Sequence, residues 1–151
     1  MMSKHSNEAL AYNDRGNAYF GKGAYDKAIA AYTEAIRLDP NEAYAYLSRG
    51  YAYGEKGEYD KAIADHTEVI RLGANYDMAY SFRGLAYAVK GEYDKAIADF
   101  TEVIRLIPNF AEAYSNRGYA YAKLGNDAKA EADFAKHKEL NLAVEALWKR
   151  S

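Results

Sequence analysis

The strongest constraint on the fold of this chain is a segment that recurs at a fixed period. The segment KGEYDKAIAD occurs at Lys56–Asp65 and again at Lys90–Asp99, and a near copy, KGAYDKAIAA, occupies Lys22–Ala31. These segments begin at residues 22, 56 and 90, so successive copies are 34 residues apart. A fixed period of this length predicts a repeat protein, in which every structural unit packs against the next one.

Arg-Gly pairs follow the same period and set the boundaries of the repeats. They are Arg15-Gly16, Arg49-Gly50, Arg83-Gly84 and Arg117-Gly118. If Gly16 is taken as position 8, four repeats cover residues 9–42, 43–76, 77–110 and 111–144, after a lead-in of residues 1–8. The chain of 151 residues is then expected to form a single domain.

Each repeat has the pattern of two helices separated by a turn. In the first helix of repeat 2, Tyr46, Gly50 and Tyr53 lie at positions 4, 8 and 11, which is the spacing of one helix face. The glycine that recurs at position 15 suits a helix end with positive φ. In the second helix, small or apolar residues recur at positions 20, 24 and 27, and a proline at position 32 ends it in repeats 1 and 3.

Small residues in both helices predict a close contact within each repeat. Glycine occupies position 8 and alanine occupies position 20 in all four repeats. A glycine inside a helix is unfavourable by roughly 1 kcal/mol relative to alanine, so its recurrence needs a packing reason. We therefore expect the two helices to meet at a seam of glycine and alanine, with the tyrosines of positions 4 and 11 above and below it.

The pattern Y-x2-R-G-x2-Y…A-x3-(Y/H/F) resembles the tetratricopeptide repeat, whose pattern is W-x2-L-G-x2-Y…A-x3-F…P. The resemblance covers residues 9–144 and implies an all-α fold, a right-handed α-solenoid of four helix-turn-helix repeats. The sequence departs from the family pattern at position 7, where arginine replaces leucine in every repeat. It also departs at the end of repeat 4, where Leu142 replaces the proline.

The residues after repeat 4, 145–151, are expected to form a C-terminal capping helix. Trp148 lies one full period after Tyr114, and the apolar residues Leu142, Val144 and Leu147 surround it. A terminal helix of this kind covers the apolar face that a last repeat otherwise exposes. The alternative is that the chain ends inside a longer array of repeats.

The four arginines at position 7 have two interpretations. They form either a basic ladder that binds an acidic ligand or ion pairs with the second helix of their own repeat. The pairing interpretation is favoured, because aspartate occupies position 23 in repeats 2, 3 and 4, at Asp65, Asp99 and Asp133. Repeat 1 has Ala31 at this position, so Arg15 cannot form the same pair.

The family resemblance implies that the first helices line a concave groove, with positions 2, 5, 6, 9, 12 and 13 facing it. Helix geometry agrees, because these positions lie off the stripe of positions 4, 8 and 11. Packing positions account for twelve of the 16 tyrosines, and three of the other four fall on groove positions. The candidate peptide-binding residues are Asn17, Tyr44, Leu47, Tyr51, Met78, Phe82, Leu85, Val89, Asn116 and Tyr119.

An apolar centre with more polar ends is the pattern of a binding site, and tyrosine anchors suit peptide recognition. We therefore expect a non-catalytic protein-interaction module that binds a peptide or a partner helix in the groove. The alternative is a self-assembling scaffold, a homo-oligomer in which another copy covers the same apolar surface.

Some tetratricopeptide domains bind the C-terminal carboxylate of chaperones through lysine, asparagine and arginine side chains. The resemblance places these side chains at positions that here hold Asn13, Asn17, Ser48, Met78 and Phe82. Only Asn17 keeps the residue type of the family. A carboxylate would meet no cation at these positions, so the sequence predicts a more apolar ligand.

Other classes of function find little support in the sequence. A net charge of −2 and a single lysine at the groove positions, Lys123, argue against nucleic acid or a membrane as partner. The chain has no cysteine, and His5, His66 and His137 have no second ligand at metal spacing. We therefore expect no metal, no cofactor and no catalysis. The lack of a long apolar stretch and of a signal-like N-terminus favours a soluble, cytoplasmic protein.

Overall fold

A computed structural model of the chain describes residues 3–74 and 76–150. No residue in these ranges forms a β-strand. The helices are α1 (Lys4–Gly21), α2 (Tyr25–Leu38), α3 (Ala43–Glu55), α4 (Tyr59–Arg71), α5 (Asp77–Val89), α6 (Tyr93–Leu106), α7 (Ala111–Lys123) and α8 (Asp127–Arg150). The chain divides into two compact units, the N-terminal half (Met1–Ala79) and the C-terminal half (Tyr80–Ser151). The boundary between the halves lies inside α5.

The glycines at position 15 end the first helices. Gly23, Gly57, Gly91 and Gly125 have φ values between 74° and 78°, a conformation that other residues rarely adopt. The next backbone N–H then bonds back to the helix, as in the bond from Glu58 N to the Tyr53 carbonyl oxygen at 2.9 Å. The chain can therefore reverse direction and begin the second helix within a few residues.

The second helices start and stop where their sequence predicts. An aspartate lies in the first turn of α2, α4 and α6, where the helix dipole favours negative charge. α2 ends at Leu38 and α6 ends at Leu106, each two residues before a proline. In repeat 2, Ala74 takes the place of the proline, and Gly73, with a φ of 76°, follows the end of α4.

The core of each half is built from small and aromatic side chains on packed helices. In the N-terminal half, α1 packs on α2, α2 on α3, and α3 on α4, and both Tyr32 and His66 are buried. In the C-terminal half, Ala96 and Phe100 of α6 contact Ala120 of α7, and α7 packs on α8. The rings of Tyr32, His66 and Phe100 all occupy position 24 of their repeats.

The contact inside each repeat differs from the expected seam of glycine and alanine. A Cβ atom on Gly50 would lie 2.7 Å from His66 Cε1, and one on Gly84 would lie 2.7 Å from Phe100 Cε1. The glycine at position 8 therefore makes room for the ring at position 24, and not for a second backbone as the sequence predicts. Alanine at position 20 is buried, as expected, in all four repeats.

Alanine also recurs at positions 3 and 10 of every first helix, and these positions belong neither to the predicted stripe nor to the predicted groove. Ala120, at position 10 of α7, packs against Phe100 of the preceding repeat. Ala11 and Ala18 hold the same two positions in α1 and are exposed. In α3 and α7, the alanines at these positions thus contact the preceding repeat. The buried members in α3 and α7 are Ala45, Ala52, Ala113 and Ala120.

The tail is helical, but it is the last part of α8 and not a separate helix. α8 runs without a break for 24 residues, whereas α2, α4 and α6 have 13 or 14 residues. In repeats 1 and 3, a proline at position 32 ends the second helix. Repeat 4 has Leu142 at this position, so α8 can continue. The large apolar side chains of the tail, between 51 and 76% exposed, are Leu142, Val144, Leu147 and Trp148.

Candidate peptide-binding surfaces

An ion pair inside repeats 2, 3 and 4 fixes the first helix against the second. Arg49 donates from Nε and Nη2 to the two carboxylate oxygens of Asp65, at 2.8 and 2.7 Å. Two-point bonding of this kind is strong and holds the guanidinium in one orientation. The predicted pairing of the position-7 arginines is therefore confirmed for these repeats. The equivalent pairs, at 2.7 to 2.9 Å, are Arg83–Asp99 and Arg117–Asp133.

Burial and pairing act together on the charges of these groups. Burial raises the pKa of Asp65, and the hydrogen bonds from Arg49 act in the opposite direction. The bond to Asp65 raises the pKa of the Arg49 guanidinium. The pair thus keeps the arginine charged although its side chain is only 18% exposed.

Tyrosine rings lie on both sides of each paired arginine. Arg49 Cζ is 5.8 Å from the ring centroids of Tyr46 and Tyr53, a cation–π arrangement. Arg49 Nη1 also donates to Thr33 Oγ1 in the preceding repeat at 3.1 Å. The tyrosines of positions 4 and 11 therefore flank position 7, and the arginine connects its own repeat with the one before it.

In the N-terminal half, three candidate groove residues form a surface of two tyrosines and an amide. The Tyr44 hydroxyl accepts a hydrogen bond from Asn17 Nδ2 at 3.3 Å, and Asn17 Oδ1 accepts one from the Tyr32 hydroxyl at 2.6 Å. Burial raises the pKa of Tyr32 to about 12. Tyr51 is exposed and stacks on Phe20, with 5.1 Å between ring centroids.

Position 5 of the first helices lies in the core of the N-terminal half and not on an open groove. Leu47 is 5% exposed, so its assignment to the groove is corrected. Asn13, at the same position in α1, is 2% exposed, and its side-chain atoms have no hydrogen-bond partner among the described residues. A buried amide of this kind suits a buried water molecule. Met78, at position 2 of its repeat, is exposed.

In the C-terminal half, four candidate groove residues line one pocket. Leu85, Val89 and Tyr119 are 40, 62 and 50% exposed, and Asn116 is half-buried beside them. Phe82 is half-buried. The pocket has a volume of about 280 Å³, and its lining residues are Leu85, Ala88, Val89, Phe100, Asn116 and Tyr119.

The walls of this pocket have different chemistry. Phe100 is buried and supplies an aromatic floor, whereas Leu85 and Val89 of α5 supply an aliphatic wall. Tyr119 of α7 has the Nζ atom of Lys123 5.3 Å from its ring centroid. An apolar concavity with one amide at its edge can hold an apolar side chain and bond to a neighbouring peptide group.

The described residues contain no group of three or more histidine, aspartate or glutamate side chains placed to hold a metal ion. His137 of α8 joins two helices, because its Nδ1 lies 3.0 Å from the Ala111 carbonyl oxygen of α7. Its Nε2 lies 3.1 Å from Asn141 Nδ2 in the same helix. Within residues 3–74 and 76–150, none of the helices has the length and apolar character needed to cross a membrane.

Comparisons with known proteins place these repeats in context. A family model described as TPR repeat matches residues 16–57 and 84–125, and one described as tetratricopeptide repeat matches residues 43–75 and 111–143. Among solved structures, a crystal structure of MamA is 31% identical to this chain and superposes with a TM-score of 0.89. That alignment covers 93% of this chain and 82% of the MamA chain.

Two other similar structures contain bound peptides. The first TPR of Spaghetti (RPAP3), bound to the HSP90 peptide SRMEEVD, is 31% identical with a TM-score of 0.78, over 82% of this chain and 99% of that one. The second TPR domain of human RPAP3, in complex with the HSP70 peptide SGPTIEEVD, is 32% identical with a TM-score of 0.74, over 77 and 97%. A search of curated proteins found no match.

Proposed function

Because the chain belongs to the tetratricopeptide repeat family, we propose that it is a non-catalytic interaction module that binds a peptide or a partner helix through its first helices. The observation that carries the proposal is the pocket of the C-terminal half, which is open, mainly apolar, and lined by α5, α6 and α7. The peptide complexes of RPAP3, at 31 and 32% identity, support the same class of function.

The ligand we propose for this pocket is a peptide with an apolar anchor residue. Leu85 and Val89 would contact the anchor from one side and Tyr119 from the other. Asn116 would donate to or accept from the peptide backbone beside it. The RPAP3 peptides end in EEVD, but Asn13, at a position where the family's chaperone clamp has a cation, is buried and uncharged here. A chaperone tail is therefore not the ligand we propose.

The N-terminal half offers a second surface of the same type. Tyr44 and Tyr51 are exposed. The Tyr44 hydroxyl accepts a hydrogen bond from Asn17, and the Tyr51 ring packs on Phe20. Aromatic side chains that are already ordered lose little entropy on binding, which makes them good anchors. We propose that these two rings also contact a ligand.

A selection from a phage-displayed peptide library, followed by titration of the selected peptides, tests the proposal. We expect Tyr119→Ala to weaken binding by about 1–3 kcal/mol, as truncation of an anchor does, with the helical circular dichroism unchanged. Tyr51→Ala tests the N-terminal surface in the same way. The matched control is Ile107→Ala, which removes an apolar side chain of similar exposure, 38%, outside the pocket.

Selected peptides that bind Tyr119→Ala, Tyr51→Ala and the parent equally would place the binding surface elsewhere. A library that yields no binder at all would leave the pocket without its proposed role. The expected absence of nucleic acid and membrane partners, and the cytoplasmic location, stay predictions.

The alternative of self-assembly has one specific observation in its favour. Leu147 and Trp148, at the end of α8, are 68 and 76% exposed, and clustered apolar side chains of this size favour association. Light scattering during size-exclusion chromatography distinguishes the two functions. A dimer that dissociates in Trp148→Ala supports assembly, whereas a monomer at all concentrations supports the binding module alone.

A further inference from the structure

Repeat 1 lacks one partner of the ion pair that the other repeats share. Arg15 occupies position 7, as Arg49 does in repeat 2, but position 23 is Ala31 where repeat 2 has Asp65. Among the described residues, Arg15 has no carboxylate partner, and its side chain is exposed. A guanidinium that is neutralised inside the protein in three repeats is thus left with its charge available in the first.

A pocket occupies the place of the missing aspartate. It has a volume of about 310 Å³ between α1 and α2, within the N-terminal half. Arg15 Cζ lies 5.0 Å from the ring centroid of Tyr12, and Lys27 Nζ lies 5.7 Å from that of Tyr19. We call it the seam pocket, and its lining residues are Tyr12, Arg15, Tyr19, Lys27, Ala30 and Ala31.

The nearby acidic groups of α2 are already bound to other cations. Glu34, one turn after Ala31, accepts two hydrogen bonds from Arg37, at 2.8 and 2.5 Å. Asp26 forms an ion pair with Lys56 at 2.5 Å. The seam pocket therefore presents two cations, those of Arg15 and Lys27, whose charges no lining residue balances.

We propose that the seam pocket binds a carboxylate of an acidic peptide, which takes the place that aspartate occupies in the other repeats. Arg15 would donate two hydrogen bonds to the two carboxylate oxygens, as Arg49 does to Asp65, and Lys27 would add a second positive charge. The internal pairs are the template for this geometry. The site shares no residue with the groove, so this proposal can be tested independently of the proposed function.

The comparison with the Arg49–Asp65 pair also indicates the size of the group that can bind. Ala31 is 6% exposed, so it forms the floor of the pocket, and its methyl group leaves free the space of one carboxylate. Tyr12 and Tyr19 line the pocket beside Arg15, at the positions of the two tyrosines that flank Arg49 in repeat 2. Both an aspartate or glutamate side chain and a peptide C-terminus carry this chemistry.

Nuclear magnetic resonance of the full chain at millimolar peptide tests the proposal. The readout is the Nε–Hε signal of Arg15, assigned by its loss in Arg15→Gln. The probe is an acetylated, amidated peptide Gly-Ser-Asp-Ser-Gly, and its Asn analogue is the uncharged control. A third peptide, acetyl-Gly-Ser-Gly-Ser-Gly with a free C-terminus, separates terminal from side-chain carboxylates. Ionic strength is matched throughout, since screening weakens exposed charges.

We expect the Asp peptide to shift the Arg15 signal and the Asn peptide to leave it unchanged. Ala31→Asp should restore the internal pair and weaken peptide binding at least about tenfold, because it removes charge-assisted hydrogen bonds to the ligand. Ala64→Asp, which adds the same charge at an exposed position of α4, should bind like the parent. Equal shifts with the Asp and Asn peptides, or undiminished binding by Ala31→Asp, would overturn the proposal.

Discussion

Two second helices of the C-terminal half, α6 and α8, hold the same positions in successive repeats but differ on their outer faces. Phe100 of α6 is 1% exposed, whereas Phe134, its counterpart in α8, is 41% exposed. The residues at positions 17, 21, 24 and 28 are Tyr93, Ile97, Phe100 and Ile104 in α6, and Asp127, Glu131, Phe134 and Lys138 in α8.

The comparison shows that the repeat contains two interfaces that vary independently. The contact within the repeat is the same in both, since a Cβ atom on Gly84 would lie 2.7 Å from the Phe100 ring and one on Gly118 would lie 2.9 Å from the Phe134 ring. The contact with the next repeat is made in α6 by Ala120 of α7 and is replaced in α8 by charged residues. A polar outer face is what a terminal repeat needs in water.

The largest difference between the two helices should appear when the rings are truncated. Phe100→Ala should lower the free energy of unfolding by about 3–5 kcal/mol, because it leaves a cavity in a packed core. Phe134→Ala should cost only about 1–2 kcal/mol, since part of its side chain is already in water. Urea unfolding followed by circular dichroism measures both. Equal losses would mean that the outer face of α8 is covered in solution.

A smaller difference is expected when the glycines that face the rings are replaced. Gly84→Leu should destabilise the chain by about 1–3 kcal/mol, because the added side chain overlaps a ring that is enclosed on all sides. Gly118→Leu should be tolerated better, because the Phe134 ring can move outward into solvent. Thermal unfolding of the two variants gives the comparison. An unchanged melting curve for Gly84→Leu would contradict the packing of Phe100 on this glycine.

Much of this arrangement could be predicted from the period alone. Positions that recur in every repeat have equivalent neighbours within the repeat, which is why the helix pairs, the turns at glycine and the Arg49–Asp65 type of ion pair follow from the sequence. The pairing needed only a cation at position 7 and a carboxylate at position 23 that recur together. The tetratricopeptide pattern identified the family from the same residues.

The period does not say which neighbour a position faces. Leu47 was assigned to the groove because the family resemblance implies that position 5 faces it, and helix geometry agreed, but Leu47 is buried. Its depth depends on how closely successive first helices approach, a distance between elements that no local pattern records. For the same reason the ring opposite each glycine was missed, although aromatic residues recur at position 24.

The smallest effect on stability is expected from rebuilding the outer face of α8 to match α6. In Asp127→Tyr with Glu131→Ile and Lys138→Ile, only exposed residues change, so the free energy of unfolding should shift by no more than about 0.5 kcal/mol. The expected change is in association. Light scattering should show oligomers that grow with concentration, because the rebuilt face of one copy fits the exposed alanines of α1 in another.

The surface that would accept the rebuilt helix already exists. Ala11 and Ala18 of α1 are exposed at the positions that are buried in α7, where they cover α6. Adding Ala11→Glu and Ala18→Glu to the rebuilt chain should therefore restore the monomer, whereas Ala132→Ile with Glu139→Ile in the parent, two isoleucines at positions exposed in every repeat, should not cause assembly. If the rebuilt chain stays monomeric, the charged residues of α8 do not prevent stacking, and the difference between α6 and α8 has another origin. If the unaltered parent forms oligomers through α8, the charged residues of α8 do not prevent association at this face.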